Sequence, residues 1–248
     1  MRLDQALVAR GLAESRARAR AAIEAGLVRV DGAVATKPAL EVGEAAAIEA
    51  EPAFPWVGRG ALKLLGALEL WPVSVEGRVC LDVGASTGGF TEVLLSRGAA
   101  RVYAVDVGRG QLHPRVTGDP RVVSLEGVDA RRLDRTLAPE PVGLIVCDAS
   151  FIGLDKVLPA ALALAKPGAE LVALVKPQFE VGPERVGKGG LVRDAAARAE
   201  AVASVRTWFE AQGWPVRGQA ESPIAGGDGN VEFLLWAILA CEAGEAAP

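Results

Sequence analysis

The residues best placed to do chemistry lie where apolar runs break. Val79-Cys80-Leu81-Asp82-Val83 leads into Gly84-Ala85-Ser86-Thr87-Gly88-Gly89-Phe90. This pattern predicts a buried strand, a tight turn of small side chains and a helix starting near Gly88, so that a ligand can approach the main chain closely. A second apolar run ends in Asp106, which puts a carboxylate at the tip of the neighbouring parallel strand, where a nucleoside ribose is gripped. Asp129 follows a third run, in position to accept a hydrogen bond from an adenine amino group. Asp148 and Lys176 end a fourth and a fifth, Glu232 leads into a last one, and Lys63 sits in the first turns of a helix. One charge at a strand tip is unremarkable, but several converging on the C-terminal edge of one sheet mark the place where open α/β folds bind ligands.

These residues need a scaffold of repeated β-α units. Strands are expected at 79–83, 101–105, 121–125, 143–147, 170–175 and 231–239, with helices between them, including Asp155 to Lys166 and Asp194 to Gln212. Such repetition implies a parallel sheet covered on both faces. The stretch from Gly182 to Arg193 is glycine-rich and basic, and it reads as a mobile loop.

Length and composition agree with this class. The 248 residues, half of them hydrophobic, suffice for an α/β domain plus a small module. Net charge is only −4, so any nucleic-acid surface must be a local patch. Three cysteines without a CxxC pair and a single histidine give neither a disulfide framework nor a zinc site, which points to a reducing, cytoplasmic setting and no metal. The longest hydrophobic runs fall short of the roughly 20 residues that cross a bilayer, which argues against a membrane partner.

The glycine turn itself excludes several ligands. A dinucleotide fingerprint wants glycine where Gly84, Ser86 and Gly89 stand, and its middle glycine is missing. There is no P-loop and no Gly-x-Ser-x-Gly nucleophile elbow. The order acid-x-Gly-x-x-x-Gly-Gly, from Asp82 to Gly89, resembles the S-adenosylmethionine turn of class I methyltransferases.

The missing basic patch is N-terminal. Residues 1 to 40 hold seven basic groups against four acidic ones. Two short helices, the second capped by Ser15 and closed by Gly26, precede a hairpin turning at Asp31-Gly32. Arg2, Arg10, Arg16, Arg20 and Lys37 could track a phosphate backbone, although on charge alone an ordinary solvated face is the simpler reading. Arg2-Leu3-Asp4, Leu7, Gly11-Leu12, Ser15-Arg16, Ile23, Gly26, Val28, Val30-Asp31-Gly32 and Lys37-Pro38 together resemble the S4-like RNA-binding domain.

Lys63, Asp148, Lys176 and Glu232 complete the pattern. Residues 56 to 239 resemble the FtsJ-type ribose methyltransferases, and the whole chain is similar to the TlyA (haemolysin A) family of ribosomal RNA 2′-O-methyltransferases. The resemblance implies an S4-like domain over 1–50, a linker over 51–57, a methyltransferase domain over 58–240 with a mostly parallel seven-stranded Rossmann-like sheet, and a disordered tail over 241–248. It implies S-adenosylmethionine contacts at Gly84, Ala85, Ser86, Gly88, Gly89, Phe90, Asp106, Asp129 and Asp148. RNA would meet the N-terminal patch, Arg59, Arg185 and Lys188. A ribose 2′-hydroxyl must be aligned with the methyl group and lose its proton. Lys176 is the expected base, with Lys63 nearby to lower its pKa and Asp148 and Glu232 orienting both lysines; Asp148 stays open as an alternative proton acceptor.

The expected reaction is methylation of a cytidine ribose in ribosomal RNA. The start at the Leu3-Asp4 helix leans towards family members acting on large-subunit 23S RNA alone, rather than on 16S RNA as well. A non-catalytic RNA-binding or ribosome-assembly factor is the rival reading, and a membrane lysin is a third. The oligomeric state is left open.

Overall fold

A computed structural model describes residues 1–240; the tail expected over 241–248 lies outside them. The chain forms two compact units, Met1–Pro55 and a second from Trp56 onward.

In the first unit, α1 (Leu3–Ala9) and α2 (Arg16–Glu24) precede β1 (Val28–Val30), β2 (Ala33–Val34) and β3 (Ile48–Ala50). The Ser15 hydroxyl accepts the Arg18 N–H at 3.3 Å and starts α2. Asp31 and Gly32 take positive φ angles of 50° and 81° between β1 and β2, as a two-residue hairpin requires. Leu3, Leu7, Ala19, Ile23 and Val28 close a small core. Strand β3 was not expected: Ile48-Glu49-Ala50, at the end of the expected S4-like domain, pairs antiparallel with β1.

The second unit begins with α3 (Ala61–Leu70), β4 (Val79–Val83), α4 (Gly89–Ser96), β5 (Arg101–Asp106), the one-turn α5 (Pro114–Thr117) and β6 (Val122–Glu126). It continues through β7 (Val142–Cys147), the one-turn helices α6 (Leu154–Val157) and α7 (Pro159–Leu162), β8 (Ala165–Val175), α8 (Pro177–Glu180), α9 (Ala195–Ala211), β9 (Val216–Glu221) and β10 (Phe233–Ile238). The seven strands lie in the order β6-β5-β4-β7-β8-β10-β9. The first five are parallel, while β10 runs antiparallel to β8 and β9 antiparallel to β10. The order reverses at β4, so a crevice opens beyond the ends of β4, β5 and β7.

Both faces of the sheet are covered. Ala61, Leu64, Val93 and Leu94 pack on Cys80, Val102, Leu144, Val146 and Leu174. Val202, Val205, Phe209 and Trp214 pack with Leu81, Ile145, Leu171 and Leu235 on the other side. Each fully buried large side chain contributes about 1.5–3 kcal/mol.

Two expectations need correction. The helix expected from Asp155 to Lys166 is two separate turns, because Pro159 has no N–H to donate, and Lys166 already belongs to β8. Strand β9 went unread because every second residue, Arg217, Gln219 and Glu221, is exposed and polar at the edge of the sheet.

Candidate active site

The turn after β4 is shaped by what it touches. Gly84 has φ +84°, and a Cβ there would stand 2.9 Å from the Ala149 Cα, so the turns after β4 and β7 meet through a bare α-carbon. Gly88 holds φ +92° where α4 begins. Ser86 is also left-handed, at φ 48°, a cost that its main-chain bond offsets: its N–H donates to Asp106 Oδ2 at 2.8 Å. Asp106 Oδ1 accepts the Gly108 N–H, also at 2.8 Å. The carboxylate is thus fixed at the tip of β5 with a lone pair on each oxygen left for ribose hydroxyls.

Below the turn, Asp82 is fully buried in β4 and accepts the Thr91 hydroxyl on Oδ2 at 2.6 Å; Oδ1 has no protein partner. Burial pushes its carboxyl up to about 7, against the pull of Thr91 and with the help of the Asp148 charge.

Asp129 is placed differently from expectation. Both of its oxygens are held by Arg131, the closest at 2.6 Å, and this pairing holds its pKa down at about 2. The residue borders the cavity beside Asp106, but its carboxylate is already occupied.

Two cavities meet at the switch point. One, of about 560 Å³, runs past Asp106, Val107, Val128 and Ile152. The other, of about 460 Å³, is bordered by Arg59, Lys63, Phe90, Lys176, Asp228 and Glu232. Gly84, Ser86, Asp148, Ser150 and Phe151 line both. The first offers apolar walls, the carboxylates of Asp106, Asp129 and Asp148, and no cluster of cations, which fits a nucleoside without phosphates.

The second cavity brings the four expected charges together. Lys176 Nζ lies 2.7 Å from Asp148 Oδ1, and it donates to the Asp148 carbonyl at 3.1 Å and to the Ser150 hydroxyl at 2.8 Å. Lys63 Nζ lies 3.4 Å from Asp148 Oδ2 and 2.6 Å from Glu232 Oε2. Lys63, Lys176 and Glu232 are all buried. The charges alternate along one string, so each lysine faces carboxylates. Lys176 therefore has an anion, not the cation Lys63, as its immediate neighbour.

Lys63 owes its place to the segment before it. The Val57 N–H donates to Glu92 Oε2 at 2.6 Å. A Cβ on Gly89 would stand 3.1 Å from the Ala61 nitrogen and 3.2 Å from the Gly58 oxygen, so the start of α3 lies against the glycine turn.

Sequence reasoning missed Phe151. It is 90% exposed, has φ 66° and stands 5.3 Å from the Phe179 ring. A strained, solvated aromatic at a cavity mouth suits stacking on a base. It also missed the work of Asn230, whose Oδ1 accepts the Val192 N–H at 3.0 Å and whose Nδ2 donates to the Gly190 carbonyl at 2.8 Å. These bonds anchor one end of the loop expected to be mobile.

The basic residues are less free than their charges suggest. Arg2 and Arg16 both bind the buried Asp4 at 3.0 Å and hold its carboxyl well below the usual range. Arg10 donates to the carbonyls of Gly43, Glu44 and Ala46. Arg20 lies 4.0 Å from Glu24, and Arg185 pairs with Glu200. Lys37, Arg59 and Lys188 are exposed.

Among the described residues, no group of three or more His, Cys, Asp or Glu could hold a metal ion.

Comparison with known proteins fits this geometry. Residues 56–238 match the FtsJ-like methyltransferase family and residues 1–48 the S4 domain. The chain is 52% identical to the 16S/23S rRNA (cytidine-2′-O)-methyltransferase TlyA of Mycobacterium tuberculosis, over 95% of this chain and 88% of that one. It is 37% identical to Hemolysin A of Brachyspira hyodysenteriae, over 96% and 100%. A solved structure from Streptococcus thermophilus that carries the haemolysin name superposes with a TM-score of 0.77 at 37% identity, over 97% of this chain and 88% of that one. An S4 domain joined to an FtsJ-like methyltransferase domain, with relatives this similar along nearly the whole chain, places this protein in the TlyA family.

Proposed function

We propose that this chain transfers a methyl group from S-adenosylmethionine to the ribose 2′-hydroxyl of a cytidine in ribosomal RNA, in the cytoplasm. The observation that carries the reading is the Lys63-Asp148-Lys176-Glu232 string, which borders the second cavity and reaches the wall shared with the first through Asp148. The relatives named as rRNA cytidine-2′-O-methyltransferases support the substrate class.

Asp106 and the turn from Gly84 to Phe90 would hold the cofactor, which supplies an electrophilic methyl group when bound. Val128 and Asp129 would border its adenine through the main chain. Lys176 is the base that takes the 2′-hydroxyl proton. Asp148 fixes the Lys176 ammonium between turnovers, while Lys63 and Glu232 hold Asp148 in line. Phe151 stacks on the target base, and Arg59, Lys188 and the N-terminal basic residues meet the phosphate backbone.

The test is tritium transfer from labelled cofactor to unmodified 23S and 16S RNA in ribosomal subunits, followed by digestion to nucleosides. The expected product is 2′-O-methylcytidine, and Lys176→Ala abolishes it while cofactor affinity stays within a few-fold. Undiminished transfer by Lys176→Ala, or a methyl group on a base, would overturn the reading. The haemolysin name of some relatives raises a second possibility, but no helix among the described residues is long and apolar enough to cross a membrane.

A further inference from the structure

Lys176 has three N–H bonds, and three acceptors face it. Two belong to Asp148, the carboxylate at 2.7 Å and the main-chain carbonyl at 3.1 Å. The third is the Ser150 hydroxyl at 2.8 Å. This arrangement holds an ammonium, which cannot accept a proton. A base at this position must first lose one.

The three acceptors differ in where they can send a proton. A main-chain carbonyl cannot carry one onward. The Asp148 carboxylate is half-buried and is already bound by both lysines, which tie it into the string that ends in Glu232. Ser150 is exposed and lines both cavities. Its hydroxyl can accept from Lys176 while giving its own proton to water.

We infer that Ser150 is the proton relay of Lys176. The Nζ–H on the Ser150 side breaks, its proton passes to the Ser150 oxygen, and the Ser150 proton goes to water. Lys176 is left neutral with its lone pair on the side that Ser150 occupied, where Ser150 also borders the second cavity. When the 2′-hydroxyl oxygen bonds to the methyl carbon, its proton moves to that lone pair and leaves by the same route before the next turnover. Ser150 acts through Lys176. This inference rests on the reading of Lys176 as the base.

The charged groups around Lys176 are Asp148 after β7, Lys63 on α3 with Glu232 at the start of β10, and Asp228 in the loop before β10, whose carboxylate is held below its usual range, against its desolvation, by hydrogen bonds from Asn230 first and by the Lys176 charge last. Cys147, buried beside Asp148, carries a thiol that burial pushes up to about 12.

The experiment measures single-turnover methyl transfer by the full chain on ribosomal subunits as a function of pH and of imidazole concentration. Ser150→Ala is expected to lose roughly tenfold in rate at neutral pH. The loss should shrink as pH rises, and imidazole should recover much of it, while melting temperature and RNA affinity hold steady. Ser150→Thr, which keeps the hydroxyl, should restore the wild-type pH profile. A Ser150→Ala rate equal to wild type, or a loss that is the same at every pH and indifferent to imidazole, would overturn the relay and leave the base assignment standing. Undiminished transfer by Lys176→Ala would remove the base itself.

Discussion

Asp148 binds the Lys176 ammonium twice, through its side chain at 2.7 Å and its main-chain oxygen at 3.1 Å. One residue therefore sets both the charge and the position of the expected base. Asp148→Asn keeps the carbonyl contact and removes the anion. Methyl transfer should fall by at least about 100-fold, the scale of a lost acid–base group, with cofactor affinity changed only a few-fold. Parallel transfer and calorimetric titration measure both, and transfer within a few-fold of wild type would contradict the role.

Glu232 is the far end of the string. Glu232→Ala leaves Lys63 buried with only the 3.4 Å contact to Asp148. Breaking a buried ion pair from one side costs about 3–5 kcal/mol, which for a domain of this size lowers the melting temperature by about 6–20 °C. Glu232→Gln, which keeps a hydrogen-bond acceptor, should lose less stability than Glu232→Ala. Thermal denaturation of both variants decides whether the pair is structural as well as functional.

Asp82 gives stability a pH dependence of its own. Its folded pKa of about 7 lies above the usual value of about 4, so the fold favours the neutral acid. That stabilisation is complete below pH ~4 and is lost as pH rises through about 7. Asp82→Asn is neutral throughout, so its melting temperature relative to wild type should climb between pH 5 and pH 8. A difference that stays flat over that range would show that Asp82 does not titrate there.

Phe151 predicts binding without stability. Its ring is exposed and its φ of 66° is unfavourable for a bulky residue. Phe151→Ala should weaken RNA binding by about 1–3 kcal/mol, the worth of one stacked base, and leave the melting temperature unchanged or higher. Filter binding to ribosomal subunits together with thermal denaturation distinguishes this from a packing role, which would lower both.

Glycine-turn chemistry was readable because it depends on local spacing. Gly84, Ser86 and Asp106 sit one strand apart, and only a turn that brings two main chains together needs a residue without a Cβ at Gly84. The strand-tip charges were readable for the same reason: polar residues ending apolar runs have few other places to go. Lys63 was reached only through the family resemblance, because its leucine neighbours fill the helix on several sides, and its burial depends on Asp148 and Glu232, far along the chain. The pairing of Asp129 was not foreseen, since Arg131 two residues on binds its carboxylate. Phe151 carried a faint signal, a lone large aromatic just after the strand-ending Asp148, but its positive φ exists only in the folded turn. In the first unit, charge counting overstated the patch, because Arg2, Arg10 and Arg16 also serve internal bonds that composition cannot reveal.

The wall common to the two cavities constrains the order of events. On the proposed reading donor and acceptor meet across Gly84, Ser86, Asp148, Ser150 and Phe151, and no cysteine stands among these residues to carry a methyl group in between. Both reactants must then occupy the protein at once, so initial-rate plots should intersect rather than run parallel, and a chiral methyl group should arrive inverted after its single displacement.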